Sequence, residues 1–351
     1  MHHTLYAHNR LRNPRTTGGD DVPAVLTFYN NAVYDWSEHA THTGSERVLL
    51  QWMHNFYKPG PSTPDDAAGI AFAFHGDAGS RLYPKGNVID GHDAETKDNT
   101  LAVTWQHKAA RFDTTERRRM IVDAPFSVPP ASMQNAREAL GTILADAGAT
   151  LPARDAVDLR IVHSVRDGTG MIISKETDLP EEQRWPDYRS LPAPADRDGD
   201  GIPDYWETQF GLNPQDPGDS AKLGADGYAN IEHYANNTDP AGRGIPVASV
   251  CADVSRATFS QLGEWRVTRT GPMSAPLTVR YQLGGDATMG EDYAQLYGTV
   301  TIPEGKNTAY ITIDPRKSAR DNRTVTITLL SAEGACIGCP SRSLIVIRAR
   351  P

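Results

Sequence analysis

VLTFYNNAVYDWSEHATHTGSERVLLQWMHN, residues 25–55, holds two short runs of alternating apolar residues, VLTFYNN and VLLQWMHN, each closing on asparagine. The same form recurs earlier in TLYAHN (4–9) and later in LYPKGN (82–87). The asparagines Asn9, Asn31, Asn55 and Asn87 stand 22, 24 and 32 residues apart. Spacings of that size suit solenoid coils, in which a strand of one coil stacks on the next. Asparagines stacked at the turns hydrogen-bond up such a ladder. The pattern predicts a parallel β-helix over roughly the first 125 residues. An ordinary β-sandwich, whose strands also alternate, is the competing fold.

The pattern changes on the carboxy-terminal side. In SMQNAREALGTILADAGA (132–149), Ala136, Leu140, Ile143, Leu144 and Ala147 fall on one helical face, with Ser132 as N-cap. A second helix is predicted through Ala156, Leu159, Ile161, Val162 and Val165, ending at Gly168 and Gly170. Both are expected to cover the solenoid. RSLPAPAD (189–196) reads as a linker. From about residue 247 the runs WRVTRT, LTVRYQL, GTVTIP, AYITID, TVTITLL and SLIVIRA alternate again between turn residues, the signature of an immunoglobulin-like sandwich. Three domains follow: 1–190, 191–245 and 246–351. The expected class is mainly β, with a truncated right-handed parallel β-helix and covering helices, a short EF-hand-like calcium segment and a C-terminal immunoglobulin-like β-sandwich.

Thirty glycines and 25 prolines in 351 residues suit such a turn-rich chain better than a helical bundle. The formal net charge is −9, and residues 146–245 hold nineteen acidic against nine basic residues. Acidity concentrated in one segment points to a cation rather than nucleic acid as its partner. No window approaches the apolar length of a transmembrane helix, and no signal peptide is visible at the start. Cys336 and Cys339 form a CxxC without the second pair a zinc site needs, leaving a local disulfide or buried thiols; Cys251 stands apart.

DRDGDGIPDYWE (196–207) matches an EF-hand loop at every ligand position. Asp196, Asp198, Asp200, Asp204 and Glu207 supply carboxylates, Ile202 its carbonyl, and Gly201 the sharp turn. Four aspartates within nine residues repel one another unless a hard cation, here Ca2+, sits among them. A second copy, ADGYANIEHY (225–234), keeps Asp226–Gly227, Asn230 and Glu232 but puts His233 where the bidentate Glu belongs. It reads as a structural partner for the first loop.

Three stretches, HHTLYAHNRLRNPR, VYDWSEHATHTGSERVLLQWMHNFYKPGPST and LPARDAVDLRIVHSVRDGTGMII, resemble in order the later half of a bacterial pectate lyase of the parallel β-helix type. Together with DGDGIPDYWE, which resembles a thrombospondin type 3 or dockerin-like loop, the resemblance covers roughly residues 1–240. The stretch from FSQLGEWRVTRT to NTAYITI resembles a Calx-β domain. The resemblance implies calcium-dependent β-elimination of an acidic polysaccharide, polygalacturonate or pectin. It carries the catalytic base onto Arg12, the first Arg of the RxP motif, and a substrate-carboxylate contact onto Arg15. Arginine gives up its proton reluctantly, so such a base requires neighbouring cations. The family's second motif Arg is Thr17 here. Lys58, in NFYKPGPST, is a further candidate for touching the anionic sugar. His2, His3 and His8 are open to either a ladder or a cleft role.

In that family the acidic residues holding the catalytic calcium lie upstream of the motif that begins here. The chain is therefore expected to start in mid-solenoid, its first coils and signal peptide lost from a secreted or cell-surface protein. In the Calx-β-like region Glu291 and Asp292 survive while the later acidic turn reads ARDNRT, which favours a structural or adhesive role there. Two functions are weighed. One is a polysaccharide lyase. The other is a non-catalytic extracellular protein that binds polysaccharide or a cell surface and uses calcium for rigidity.

Overall fold

The computed structural model describes residues 1–17, 23–126, 133–151, 153–185, 191–316 and 322–348. Ser132, the expected N-cap, lies outside them. The chain divides into two compact units, Met1–Gly148 with Ala156–Pro186, and Ala149–Asp155 with Asp187–Pro351.

Among the described residues unit 1 has eleven short strands: β1 (Leu5–Ala7), β2 (Arg15–Thr16), β3 (Ala24–Tyr29), β4 (Ala32–Tyr34), β5 (Thr41–Thr43), β6 (Val48–Met53), β7 (Phe56–Lys58), β8 (Phe72–Phe74), β9 (Arg81–Lys85), β10 (Val88–Ile89) and β11 (Val103–Trp105). They form three sheets, ordered β1-β4-β7-β10, β2-β5-β8-β11 and β3-β6-β9. Every pairing is parallel, and the chain visits the three sheets in turn on each coil, as a parallel β-helix does. Between the coils lies one core, including Phe28, Trp36, Leu50, Trp52, Tyr57, Phe72, Phe74 and Leu82.

The ladder forms at the corner between the β3-β6-β9 sheet and the next. Asn55 Oδ1 accepts from both Asn31 N and Asn31 Nδ2 at 3.0 Å. Asn87 Oδ1 receives Asn55 in the same way, and Asn99 Oδ1 receives Asn87. Asn9 is not a rung. Leu5 pairs with Ala32, an offset of 27 that places Thr4 above Asn31, and Thr4 N donates to Asn31 Oδ1. Asn9 is exposed, and the fourth rung is Asn99, reached by the short helix α1 (Asp93–Lys97). His3, Asn30, His54 and Gly86, which precede Thr4, Asn31, Asn55 and Asn87, take a positive φ of 51 to 71° that turns the corner, whereas Asp98 before Asn99 is extended at φ −126°. At Gly86 a Cβ would also meet the His54 ring at 2.5 Å.

The helices α2 (Thr114–Met120), α3 (Ala136–Asp146) and α4 (Ala156–Asp167) complete unit 1. Asn135 caps α3, accepting from Arg137 N and Glu138 N, and Ala136, Ala139 and Ile143 are buried. The segment leading into α3 is clamped to a coil corner, where Asn30 exchanges hydrogen bonds with Gln134. For α4, His8 bridges Asp35 Oδ2 and Ser164 Oγ, each at 2.7 Å, and Tyr34 Oη donates to Thr169 O. Asp35 is fully buried. Replacing His8 by Ala leaves that carboxylate facing only Ser62 N. His8→Ala is therefore expected to destabilise unit 1 by about 3 kcal/mol in urea unfolding; a loss below about 1 kcal/mol would show that the bridge does not hold the helix.

In unit 2, α5 (Asp204–Phe210) and α6 (Asn230–Asn236) share a small core with Val247: Ile202, Trp206 and Phe210 are buried, with Ile231 and Tyr234 packed against them. The strands β12 (Val247–Val254), β13 (Arg256–Ala257), β14 (Gly263–Thr270), β15 (Leu277–Gly285), β16 (Thr299–Ile302), β17 (Thr308–Ile313), β18 (Arg323–Ala332), β19 (Cys336–Ile337) and β20 (Arg342–Ile347) follow. They make two sheets, β17-β14-β12-β19 and β13-β20-β18-β15-β16, mostly antiparallel. Burial alternates along them, strictly so in GEWRVTRT, and both sheets feed one core that includes Trp265, Val267, Val279, Ile311, Ile327 and Ile345. Cys251, Cys336 and Cys339 are free thiols, so the CxxC is not bridged in this structure. Among the described residues no helix is long and apolar enough to cross a membrane.

Candidate functional site

Two constellations stand out, one in each unit. In unit 1, Arg15 opens β2 directly opposite His42 of β5. The turn carrying Arg12 is tied to the next coil: Leu11 bridges His39, Asn13 N donates to Ala40 O, and Thr41 Oγ1 donates to Asn13 O at 2.6 Å. Arg12 has φ +68°, yet His8, Asp35 and His107 share that conformation at other turns, so strain alone does not single it out. Both arginines are exposed, and neither guanidinium group has a hydrogen bond or ion pair among the described residues.

Beneath them runs a ladder of imidazoles drawn from three successive coils. His42 and His75 stack at 5.2 Å and 23°, His39 stands edge-on to both at 6.0 and 6.3 Å, and His107 meets His75 at 4.5 Å. His75 Nε2 pairs with Gln106 Oε1 at 3.2 Å, while His42 Nδ1 is buried without a partner. Burial first, then the neighbouring imidazoles and the two arginines, holds His42 down at about 4. His75 is also pushed down to about 4, by burial, His107, His39 and Arg15. At neutral pH His42 and His75 are therefore uncharged.

The sign of the pH dependence follows. An unfolded histidine titrates near 6.5, so between that pH and 4 the unfolded chain binds protons that His42 and His75 refuse. Stability is full above pH 6.5 and falls as the pH drops toward 4, by at most about 3 kcal/mol for each imidazole. Thermal unfolding from pH 7 to 4 should show the loss, and His42→Gln/His75→Gln should flatten that part of the curve. An unchanged curve in the double variant would remove the stack as its source.

Lys58 lies elsewhere. Its Nζ donates to Val165 O at 2.7 Å and Arg166 O at 3.1 Å, neutralising carbonyls in the last turn of α4, where a cation is favoured. Thr17, at the position of the expected second motif arginine, donates to Glu46 Oε2 at 2.6 Å. His2 and His3 hydrogen-bond each other, and His3 also pairs with Gln134.

In unit 2 the acidic loop closes on itself. Asp196 accepts from Gly199 N and Gly201 N, and Asp200 Oδ1 accepts from Ile202 N. The Asp196, Asp198 and Asp200 carboxylates converge, and those of Asp200, Glu207 and Asp219 form a second overlapping group. Both oxygens of Asp198 and of Glu207, Oδ2 of Asp200 and Oδ1 of Asp219 are buried without a hydrogen-bond partner. Burial and then Asp198, Asp200 and Asp219 push Glu207 up to about 7. Orphaned acceptors packed this closely fit a hard divalent cation of the calcium type. Ile202 belongs to the loop with its side chain in the core. Asp204 turns away: Oδ1 accepts from Arg197 N, and Oδ2 pairs with Arg197 Nε at 3.2 Å. In the second loop, Asp226 Oδ1 lies 3.1 Å from His233 Nε2, and Glu232 accepts from Ala229 N at the start of α6.

Sequence reading passed over the imidazole ladder and Asp219. Residues 31 to 33 apart face one another only once the coil lengths are known, and Asp219 lies beyond the loop pattern.

No family model matches the chain. Over 242 residues (68% of its length) it is 30% identical to "Probable pectate lyase C" of Emericella nidulans, covering 52% of that protein. It is likewise 30% identical over 245 residues to "Probable pectate lyase C" of Aspergillus terreus, again covering 52%. The chain thus spans about half the length of the curated relatives it matches. Among solved structures, the Calx CBD2 domain aligns with 31% of this chain and 90% of its own, at 15% identity and a TM-score of 0.27. That likeness is too slight to argue from.

Proposed function

We propose that this chain is the later part of a pectate-lyase-like polysaccharide lyase, cleaving polygalacturonate by β-elimination. Arg12 is the base and Arg15 the contact for a uronate carboxylate. The observation that carries this reading is the exposed pair Arg12 and Arg15, without a hydrogen bond or ion pair among the described residues, beside the stacked His42 and His75, a face suited to an acidic sugar chain. The similarity to probable pectate lyases supports the same class of substrate. In the reaction a base removes the proton α to the carboxylate, the electron pair forms the ring double bond, and the C4–O glycosidic bond breaks with its oxygen taking a proton. Arg12 accepts the first proton in its neutral guanidine form and becomes guanidinium, the departing oxygen takes its proton from water, and Arg15 orients the carboxylate beside it.

Residues 196–219 form, on this reading, a calcium-stabilised segment in which Asp196, Asp198, Asp200 and Glu207 hold the ion, which supplies rigidity. The following strands are an immunoglobulin-like sandwich of the Calx-β kind, and the protein works outside the cell. The test is ultraviolet absorbance of unsaturated product from polygalacturonate, with calcium titrated against a chelator. Calcium-dependent product supports the lyase; none at any calcium concentration overturns it.

One observation favours a second reading. Both acidic groups that could hold a metal among the described residues lie between Asp196 and Asp219, not beside Arg12. A non-catalytic extracellular protein, calcium-stabilised and binding acidic polysaccharide through Arg12 and Arg15, accounts for that. It predicts retention on a polygalacturonate matrix with no product.

A further inference from the structure

We infer that the calcium ion of the acidic segment is held by a set in two parts, Asp196, Asp198, Asp200 and Glu207 from the loop plus Asp219 from beyond α5, with Asp204 outside the coordination sphere. This rests on the calcium reading given above and goes beyond it, because the loop pattern assigns Asp204 and says nothing of Asp219.

Three observations carry the inference. Asp219 is 3% exposed although aspartate is ordinarily a surface residue. Its Oδ2 is satisfied by Asn213 N at 2.8 Å, which leaves Oδ1 buried and unpartnered. A carboxylate oxygen of Asp219 lies within 4.8 Å of ligand oxygens of both Asp200 and Glu207. Four negative carboxylates from the loop would repel a fifth unless a cation compensates them. Asp204 shows the reverse: Oδ1 accepts from Arg197 N and Oδ2 pairs with the Arg197 guanidinium group at 3.2 Å. With Glu207 bidentate, the five carboxylates offer about six oxygens, at the lower end of what calcium takes.

The turn holding Asp219 is itself fixed. Asp219 O accepts from Lys222 N and from Asn230 Nδ2, the first residue of α6. Bound calcium therefore ties the first loop to the entry of α6. It welds the degenerate second loop to the first, although among the described residues that loop brings no three metal-ligating side chains together. This explains how an acidic loop lacking a competent partner still forms a closed pair.

The experiment is calcium titration by isothermal calorimetry, with terbium luminescence sensitised by Trp206 as a second readout, on the full chain and on Asp219→Asn, Asp204→Asn and Asp219→Glu. Asp219→Asn and Asp204→Asn each remove one negative charge, so the difference between them reports ligation rather than charge. Asp219→Asn is expected to weaken calcium at least ~10-fold and Asp204→Asn by no more than ~3-fold. Asp219→Glu keeps the charge but lengthens the side chain in a closed site, and should also weaken binding; it serves if Asp219→Asn fails to fold. Equal affinity in the wild type and the Asp219 variants, or a larger loss in Asp204→Asn, overturns the assignment while leaving the calcium reading in place. A wild-type chain that binds no calcium overturns both.

Discussion

Arg12→Ala is expected to lower the release of unsaturated product from polygalacturonate by about 10³-fold, the worth of a positioned proton acceptor. The fold should not register the change. Arg12 is exposed, makes no hydrogen bond or ion pair among the described residues, and its turn is held by backbone contacts of Leu11 and Asn13. Unfolding free energy should stay within about 0.5 kcal/mol of the parent. Arg15→Ala should behave differently. Losing a charge-assisted contact to the carboxylate costs about 2 kcal/mol, felt mainly as a KM roughly 30-fold higher with kcat largely kept. If Arg12→Ala retains full activity, the base lies elsewhere. If it abolishes binding and the parent yields no product, the non-catalytic reading takes its place.

The largest effect on stability is expected at Asn55. Its side chain is fully buried and works in both directions along the ladder. Oδ1 accepts two hydrogen bonds from Asn31, while Nδ2 donates to Phe28 O at 3.0 Å and to Asn87 Oδ1 at 2.9 Å. Alanine would leave Asn31 N and Phe28 O without these partners in a corner closed to water. Each unsatisfied buried group costs about 1–3 kcal/mol, so Asn55→Ala should destabilise unit 1 by about 4 kcal/mol. At roughly 2–4 °C per kcal/mol for a unit of this size, its Tm should fall by about 10 °C. Asn9→Ala is the matched control. It removes an exposed asparagine from the same sequence pattern and should change stability by less than about 0.5 kcal/mol. Equal effects at both positions would mean that the ladder contributes no more than the general preference for asparagine at turns.

These two asparagines also mark how far the sequence could be read. The spacings 24 and 32 between Asn31, Asn55 and Asn87 are true coil lengths. The spacing 22 from Asn9 is not, because a coil of 27 puts Thr4 at that level. A period read from one residue type drifts wherever a loop changes length, and only the strand register corrects it. The strands of the two carboxy-terminal sheets were legible for a simpler reason: WRVTRT, TVTITLL and their neighbours bury alternate residues, a pattern local to each strand.

What this sequence determines by itself is therefore what lies within a dozen residues: strand alternation, the faces of two helices, and an acidic loop whose carboxylates converge because a short chain cannot keep them apart. The tertiary structure alone decided the rest. It stacked His42 on His75 across coils 33 residues apart, gave Lys58 to the end of α4, turned Asp204 to Arg197 and brought Asp219 to Glu207. In each case the deciding quantity was register or packing between distant segments, set by loop lengths that leave no periodic trace. A side chain's partner is fixed by which surface arrives opposite it, and that is a property of the folded chain.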